Sequence, residues 1–190
     1  MSSMMATHEG GFSRINMNRA GLWLFFVSEG FMFAGLLATR FALLPGTRPD
    51  LDQTVGLIVT SILLLSSFFM YRAETAIAHG DRSTFVISTF LTMVLGVVFL
   101  VGVVGFEWLP SEFGPSDGAS GSVFFALTGM HAFHVLTGVI FLFVIFTNGL
   151  RGVYTAESHW GVEACALYWH FVDVVWVFFY VSLYLVGRVA

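Results

Sequence analysis

Charged residues and turn formers divide this chain into five long apolar runs, at about 20–39, 54–71, 84–106, 122–147 and 164–187. Crossing a bilayer core takes roughly 17–25 residues of helix, and each run meets that length, the fourth with some tilt. The pattern predicts an all-α integral membrane protein with five transmembrane helices. Residues 1–190 then form a single transmembrane helical domain, because the connecting loops are too short to hold a core of their own. The four prolines, Pro45, Pro49, Pro110 and Pro115, all fall between runs, so the helices are expected to run unkinked. The first 18 residues are polar, with His8, Glu9, Arg14 and Asn16. They lack the short apolar core and small-residue cleavage site of a signal peptide.

Composition supports the membrane reading: 57% of residues are hydrophobic and 11% charged, against roughly 25% charged in soluble domains. The single cysteine, Cys165, excludes a disulfide framework and any multi-cysteine zinc, iron–sulfur or dinuclear copper site built within this chain. A net charge of −4, with every basic residue an arginine, leaves no basic stripe for nucleic acid. Arg14, Arg19, Arg72, Arg82 and Arg151 flank one side of the spans, and Arg40, Arg48 and Arg188 the other. That bias places the N-terminus in the cytoplasm. Loop 107–121 carries Glu107, Glu112 and Asp117 but no arginine, as a translocated loop would, and five spans then put the C-terminus outside.

Ionisable residues at membrane depth are the candidate chemistry. Glu29 lies near the middle of the first span, between Arg19 and Arg40, where a charge costs at least a few kcal/mol. Its carboxyl is expected to be protonated, or hydrogen-bonded to Ser28 or to a polar group on another helix. It serves there either as interhelical glue or in proton or lipid handling. His131 and His134 are spaced i, i+3 in the fourth span and could begin a metal site. Further ligands are not in evidence and no Glu-x-x-His motif occurs, so the favoured reading is that both imidazoles bond to neighbouring helices or backbone. The fifth span opens with Glu163, and His170 and Asp173 follow at i, i+3. This pair reads as a structural clasp ahead of a proton route. Trp108, Trp160 and Trp169 lie near span ends, as interfacial anchors do. Gly30, Ala34 and Ala38 recur every four residues and would allow close helix approach, though scattered small residues explain them equally. Five spans without matching Gly/Pro breaks do not suggest an inverted-repeat transporter.

Three segments are more specific. His159-Trp160-Gly161-Val162-Glu163-Ala164 leads into Tyr168-Trp169-His170-Phe171-Val172-Asp173-Val174-Val175-Trp176, Gly129 to Val135 contains Gly-x-His-x-x-His, and Trp23 to Phe33 contains Phe-x-x-Ser-Glu. In that arrangement the chain resembles subunit III of the haem–copper terminal oxidases (cytochrome c oxidases), over nearly its whole length and in its five-helix form, which lacks the first two helices of the seven-helix form.

The resemblance implies a non-catalytic subunit of aerobic electron transport in the inner (plasma) membrane of a prokaryote. Such a subunit contacts oxidase subunit I chiefly, with subunit II beside it, in a complex that can join a larger respiratory supercomplex. It binds phospholipid and holds no redox centre of its own, the haem and copper lying in partner subunits, and it supports assembly and sustained proton uptake by subunit I. The family's counterpart of Glu29 is the carboxyl that reacts with carbodiimides. Glu29, His131, His134, Glu163, His170 and Asp173 are then the proton- or lipid-related candidates, with no catalytic or metal-ligating residue among them. The missing helices form one arm of the family's lipid cleft, so the resemblance implies only its other arm here. Alternatives are subunit III of a quinol oxidase, an accessory subunit of a nitric oxide reductase, or, in a different class, a stand-alone proton or small-solute channel lined by Glu29, His170 and Asp173.

Overall fold

The computed structural model describes residues 14–109, 111 and 114–189. His8, Glu9, Pro110 and Glu112 therefore lie outside the described residues. Among the described residues five α-helices form: α1 (Arg14–Leu43), α2 (Gln53–Ala78), α3 (Arg82–Gly102), α4 (Gly118–Arg151) and α5 (Trp160–Tyr180). Each is long and apolar enough to cross a membrane.

The helices outrun the apolar runs because local caps, and not hydropathy, set their ends. Asp52 accepts from the amides of Thr54 and Val55 at 2.8 and 3.2 Å and starts α2. Asp81 accepts from the Thr84 amide and starts α3, and hydrogen bonds from the Thr84 side chain first and its amide second hold its carboxyl below the usual carboxylate range. α2 continues past Arg72 and Glu74 and stops only at Gly80, whose φ of +77° favours glycine. Gly152 closes α4 in the same way at φ +73°.

Two segments depart from the regular helices that the placement of prolines led us to expect. α3 ends in a π-helical turn, Val103–Trp108, and α5 in another, Val181–Leu185. Neither contains a proline. The first turn takes Glu107 out of the loop to which the sequence pattern assigned it and buries it to 8% exposure. There its carboxyl faces the buried hydroxyl of Tyr184. The second turn leads into a two-residue strand, β2 (Arg188–Val189), which pairs in parallel with β1 (Thr47–Arg48). Arg40 ties this end together: its guanidinium donates to the carbonyls of Ser182, Leu44 and Val186 at 3.2, 2.8 and 2.9 Å. The Gln53 side chain donates to the carbonyl of Tyr184 at 3.0 Å. The last carbonyls of a helix have no partner within it, and these two side chains supply one.

α5 is the centre of the bundle. Half of its apolar window is buried (50%), against 11% for α1. It packs on α2 and α4, while α3 lies against α2 and α4, and α1 rests against α4 and α5 at the edge. The close contacts use glycine opposite aromatic rings. Trp169 sits 1% exposed in a notch made by Gly96 of α3 and Gly138 of α4, and its Nε1–H donates to Ser66 of α2 at 2.9 Å. It is a core residue, not the interfacial anchor suggested by its place near the start of the span. Seven residues on, Trp176 donates to Thr60 of α2, also at 2.9 Å. A tryptophan needs a partner for its N–H when buried, and α2 provides a hydroxyl for each.

Candidate functional site

The strongest polar centre joins three helices. Glu29 of α1 meets His134 of α4, Oε2 to Nε2 at 3.1 Å, and Tyr168 of α5 donates its hydroxyl to the His134 carbonyl at 3.0 Å. His134 Nδ1 lies 2.8 Å from the Met130 carbonyl. A carbonyl only accepts, so Nδ1 carries a proton. The bond between Nε2 and Glu29 then holds one further proton, placed on the carboxyl or on the ring. Either placement leaves the pair with no net charge, which reconciles a carboxylic residue with an apolar surround. The partner of Glu29 is thus a polar group on another helix, and the adjacent Ser28 is exposed.

Removing that partner tests the joint. Glu29→Gln keeps an amide that can bond to Nε2, whereas Glu29→Leu leaves the imidazole nitrogen buried and unpaired, at a cost of about 1–3 kcal/mol. The thermal midpoint of the detergent-solubilised chain should fall by several degrees for leucine and by much less for glutamine. Equal falls would mean that packing, not the shared proton, holds α1 in place.

His131 does not join this centre. The spacing i, i+3 separates two side chains by about 60° around a helix, enough here to send them into different interfaces. His131 is completely buried among Phe99, Trp176 and Phe179, with ring centroids 5.7, 4.9 and 6.1 Å away. Neither of its nitrogens has a hydrogen-bond partner among the described residues. The expectation that both histidines bond to backbone or to neighbouring helices therefore holds for His134 and fails for His131, which packs as an aromatic ring. Among the described residues no three His, Cys, Asp or Glu side chains gather as a metal site would require.

His170 and Asp173 are likewise not bonded to each other as the clasp reading required. Ser67 of α2 intervenes. Its hydroxyl meets His170 Nδ1 at 3.2 Å and also faces the Asp173 carboxyl. Asp173 is buried, and its Oδ1 has no hydrogen-bond partner among the described residues. The pair therefore joins two helices where the sequence pattern read a contact within one. Glu163, at the start of α5, bonds to Arg19 of α1 at 3.3 Å and lies 3.5 Å from His159 Nε2. The Arg19 guanidinium also stands 5.2 Å over the Trp160 ring. Near this cluster an apolar groove of about 580 Å³ runs between α1, α4 and α5, lined by Leu22, Phe25, Phe141, Val144, Ala164 and Tyr168.

Arg40 and Glu107 escaped the sequence reading because each stands at a span end, where a charge ordinarily faces water. What marks Arg40 in retrospect is its placement one helical turn before the end of α1, within reach of exposed carbonyls.

The sum is an integral membrane bundle whose ionisable side chains are used mainly to join helices. A family model described as cytochrome c oxidase subunit III matches residues 3–188, and the chain belongs to that family. It is 40% identical over 179 residues to cytochrome c oxidase subunit 3 of Halichoerus grypus, covering 87% of this chain and 68% of that protein. The subunits of Dasypus novemcinctus and Equus caballus match over the same extent at 40% and 38%.

Proposed function

We propose that the chain is a non-catalytic subunit of a respiratory haem–copper oxidase in the plasma membrane of a prokaryote, packed on the catalytic subunit I, with subunit II nearby. It holds the complex together, binds phospholipid and sustains proton uptake during turnover. Haem and copper belong to the partner subunits. The observation that carries this reading is the Glu29–His134–Tyr168 joint. It places a carboxyl at membrane depth in a bond that is satisfied within the chain and adds no net charge, which suits a scaffold.

The groove between α1, α4 and α5 supports the lipid assignment, because its apolar lining matches an acyl chain. The N-terminal end of α1 faces the cytoplasm in this reading. Arg19, Arg72, Arg82 and Arg151 gather at that end of the bundle, where Arg82 bonds to the Gly149 and Leu150 carbonyls. Of the three arginines at the opposite end, Arg40 is buried and so does not count as a loop charge.

The test compares oxidase complexes with and without the chain, recording oxygen consumption over time and haem spectra before turnover. Without it, the spectrum and the initial rate should be largely unchanged and the active lifetime shortened, because proton delivery slows when the region around the entrance of subunit I loses its ordered lipid. An immediate loss of all activity with an altered haem spectrum would refute the accessory role.

A further inference from the structure

The two π-helical turns each deliver one polar side chain to the same buried spot. Glu107 comes from Val103–Trp108 and Tyr184 from Val181–Leu185, and the carboxyl of one faces the hydroxyl of the other. Glu107 is buried and Tyr184 completely so. Apart from that approach, neither carboxyl oxygen nor the phenol oxygen has a hydrogen-bond partner among the described residues. The backbone around them is well anchored. The Tyr184 ring lies against Gly56 of α2, where an added Cβ would stand 2.5 Å from Cε1, and Gln53 and Arg40 hold the carbonyls of Ser182, Tyr184 and Val186. On the other turn, Trp108 Nε1–H donates to Thr128 of α4 at 3.1 Å. The approach of Glu107 to Tyr184 links one turn to the other.

Charge decides what that link is. Among the described residues, the titratable group facing Glu107 is Tyr184, and Tyr184 itself faces Tyr180 of α5 and Asp52 at the cap of α2. The titratable side chains within α2 and α3, from Tyr71 to Arg82, stand at the opposite end of those helices. At the start of α4, Asp117 accepts from the Gly114 amide, and His131 is enclosed by aromatic rings. The Arg40 guanidinium of α1 is committed to carbonyls. The carboxyl therefore has no cation beside it among the described residues, and the closed site suits the neutral acid. A carboxylate there would keep a phenol as its one donor and lose water from the rest of its surface, so it is stable only where the turn opens.

We propose that Glu107 and Tyr184 form a pH-sensitive latch: the protonated carboxyl closes the two π-helical turns on each other, and release of its proton to water at this end of the bundle opens them. Such turns are rare within helices and frequent at functional sites. Opening and proton loss are one event. In the open form the carboxyl is hydrated and ionises in its ordinary range, near about 4.3. Above that range the ratio of open to closed form rises about tenfold for each pH unit, so the closed form is favoured at low pH and lost as pH rises.

Amide hydrogen exchange tests the latch on the full chain, solubilised with whatever subunits accompany it, across the pH range in which it stays folded. The reporters are Leu109 and Val186, whose amides close the two turns on the Val104 and Val181 carbonyls at 3.2 and 3.0 Å. Val153, bonded to the Asn148 carbonyl at the other end of the bundle, is the control. Relative to Val153, exchange at Leu109 and Val186 should speed up about tenfold per pH unit. Glu107→Gln and Glu107→Leu carry no titratable proton, and each should remove that dependence, so the test stands if only one of them folds. A ratio that stays flat with pH in the parent chain, or a pH dependence that survives in either variant, would overturn the proposal.

Discussion

Replacing Arg40 by leucine should destabilise the chain by about 3–5 kcal/mol, one of the two largest effects of any single substitution considered. Arg40 is 1% exposed, and the three bonds of its guanidinium all go to backbone carbonyls, of Leu44, Ser182 and Val186. Hydrogen bonds to a charged donor contribute roughly 1.5–3 kcal/mol each. Removing the buried charge also removes its desolvation cost, which offsets part of the loss. Leucine supplies none of the donors, so the end of the π-helical turn and the β1–β2 pair lose the group that binds them to α1. Lysine can reach one carbonyl and should fall between. Thermal denaturation in detergent measures the total. Amide exchange locates it, with protection lost first at Val186 and Arg188, whose amides bond to Val181 and Gly46. A leucine variant as stable as the parent would show that water already serves these carbonyls.

The five helices were legible because a spanning helix needs an unbroken apolar run, and that is a one-dimensional property of the sequence. Their ends were less so. A charge such as Arg72 looks like a boundary to hydropathy, yet the backbone continues until Gly80 supplies a left-handed residue. The polar centres were legible as residues but not as pairs. Glu29 and His134 stand 105 positions apart, and nothing local says that they meet. Where a pattern within one helix was read as a contact, as for His170 with Asp173, the interhelical alternative won. A neighbour at i+3 lies on an adjoining face, while Ser67 of α2 lies directly opposite. His131 shows the complementary error: its type suggested a polar role, and its surroundings are three aromatic rings. The two π-helical turns had no signal in the placement of prolines, since a shift in hydrogen-bond register needs no proline to produce it.

Trp169 offers the sharpest test of packing, because four helices meet at its ring. Trp169→Ala should cost about 3–5 kcal/mol, as large apolar truncations in packed cores do, and should also leave the Ser66 hydroxyl without its donor. The reverse change probes the same notch. A Cβ added at Gly138 would stand 2.8 Å from Cζ3 and 2.9 Å from Cε3 of the indole, and 3.2 Å from Cε1 of Tyr168. The indole cannot retreat, since Gly96 of α3 is as tight on its other edge, with a Cβ there 2.5 Å from Cη2. Gly138→Ala alone should therefore destabilise by about 1–3 kcal/mol, the usual cost of overpacking. Phenylalanine lacks the outer reach of the indole, so in Trp169→Phe the added methyl has room. The double variant Gly138→Ala, Trp169→Phe should then be more stable than the sum of its single changes predicts, by about 0.5–3 kcal/mol of coupling. A cycle of thermal or denaturant midpoints in one detergent measures this directly. Strict additivity would mean that α3 and α4 move apart to accept the methyl, and that the glycine notch does not fix how the two helices seat against α5.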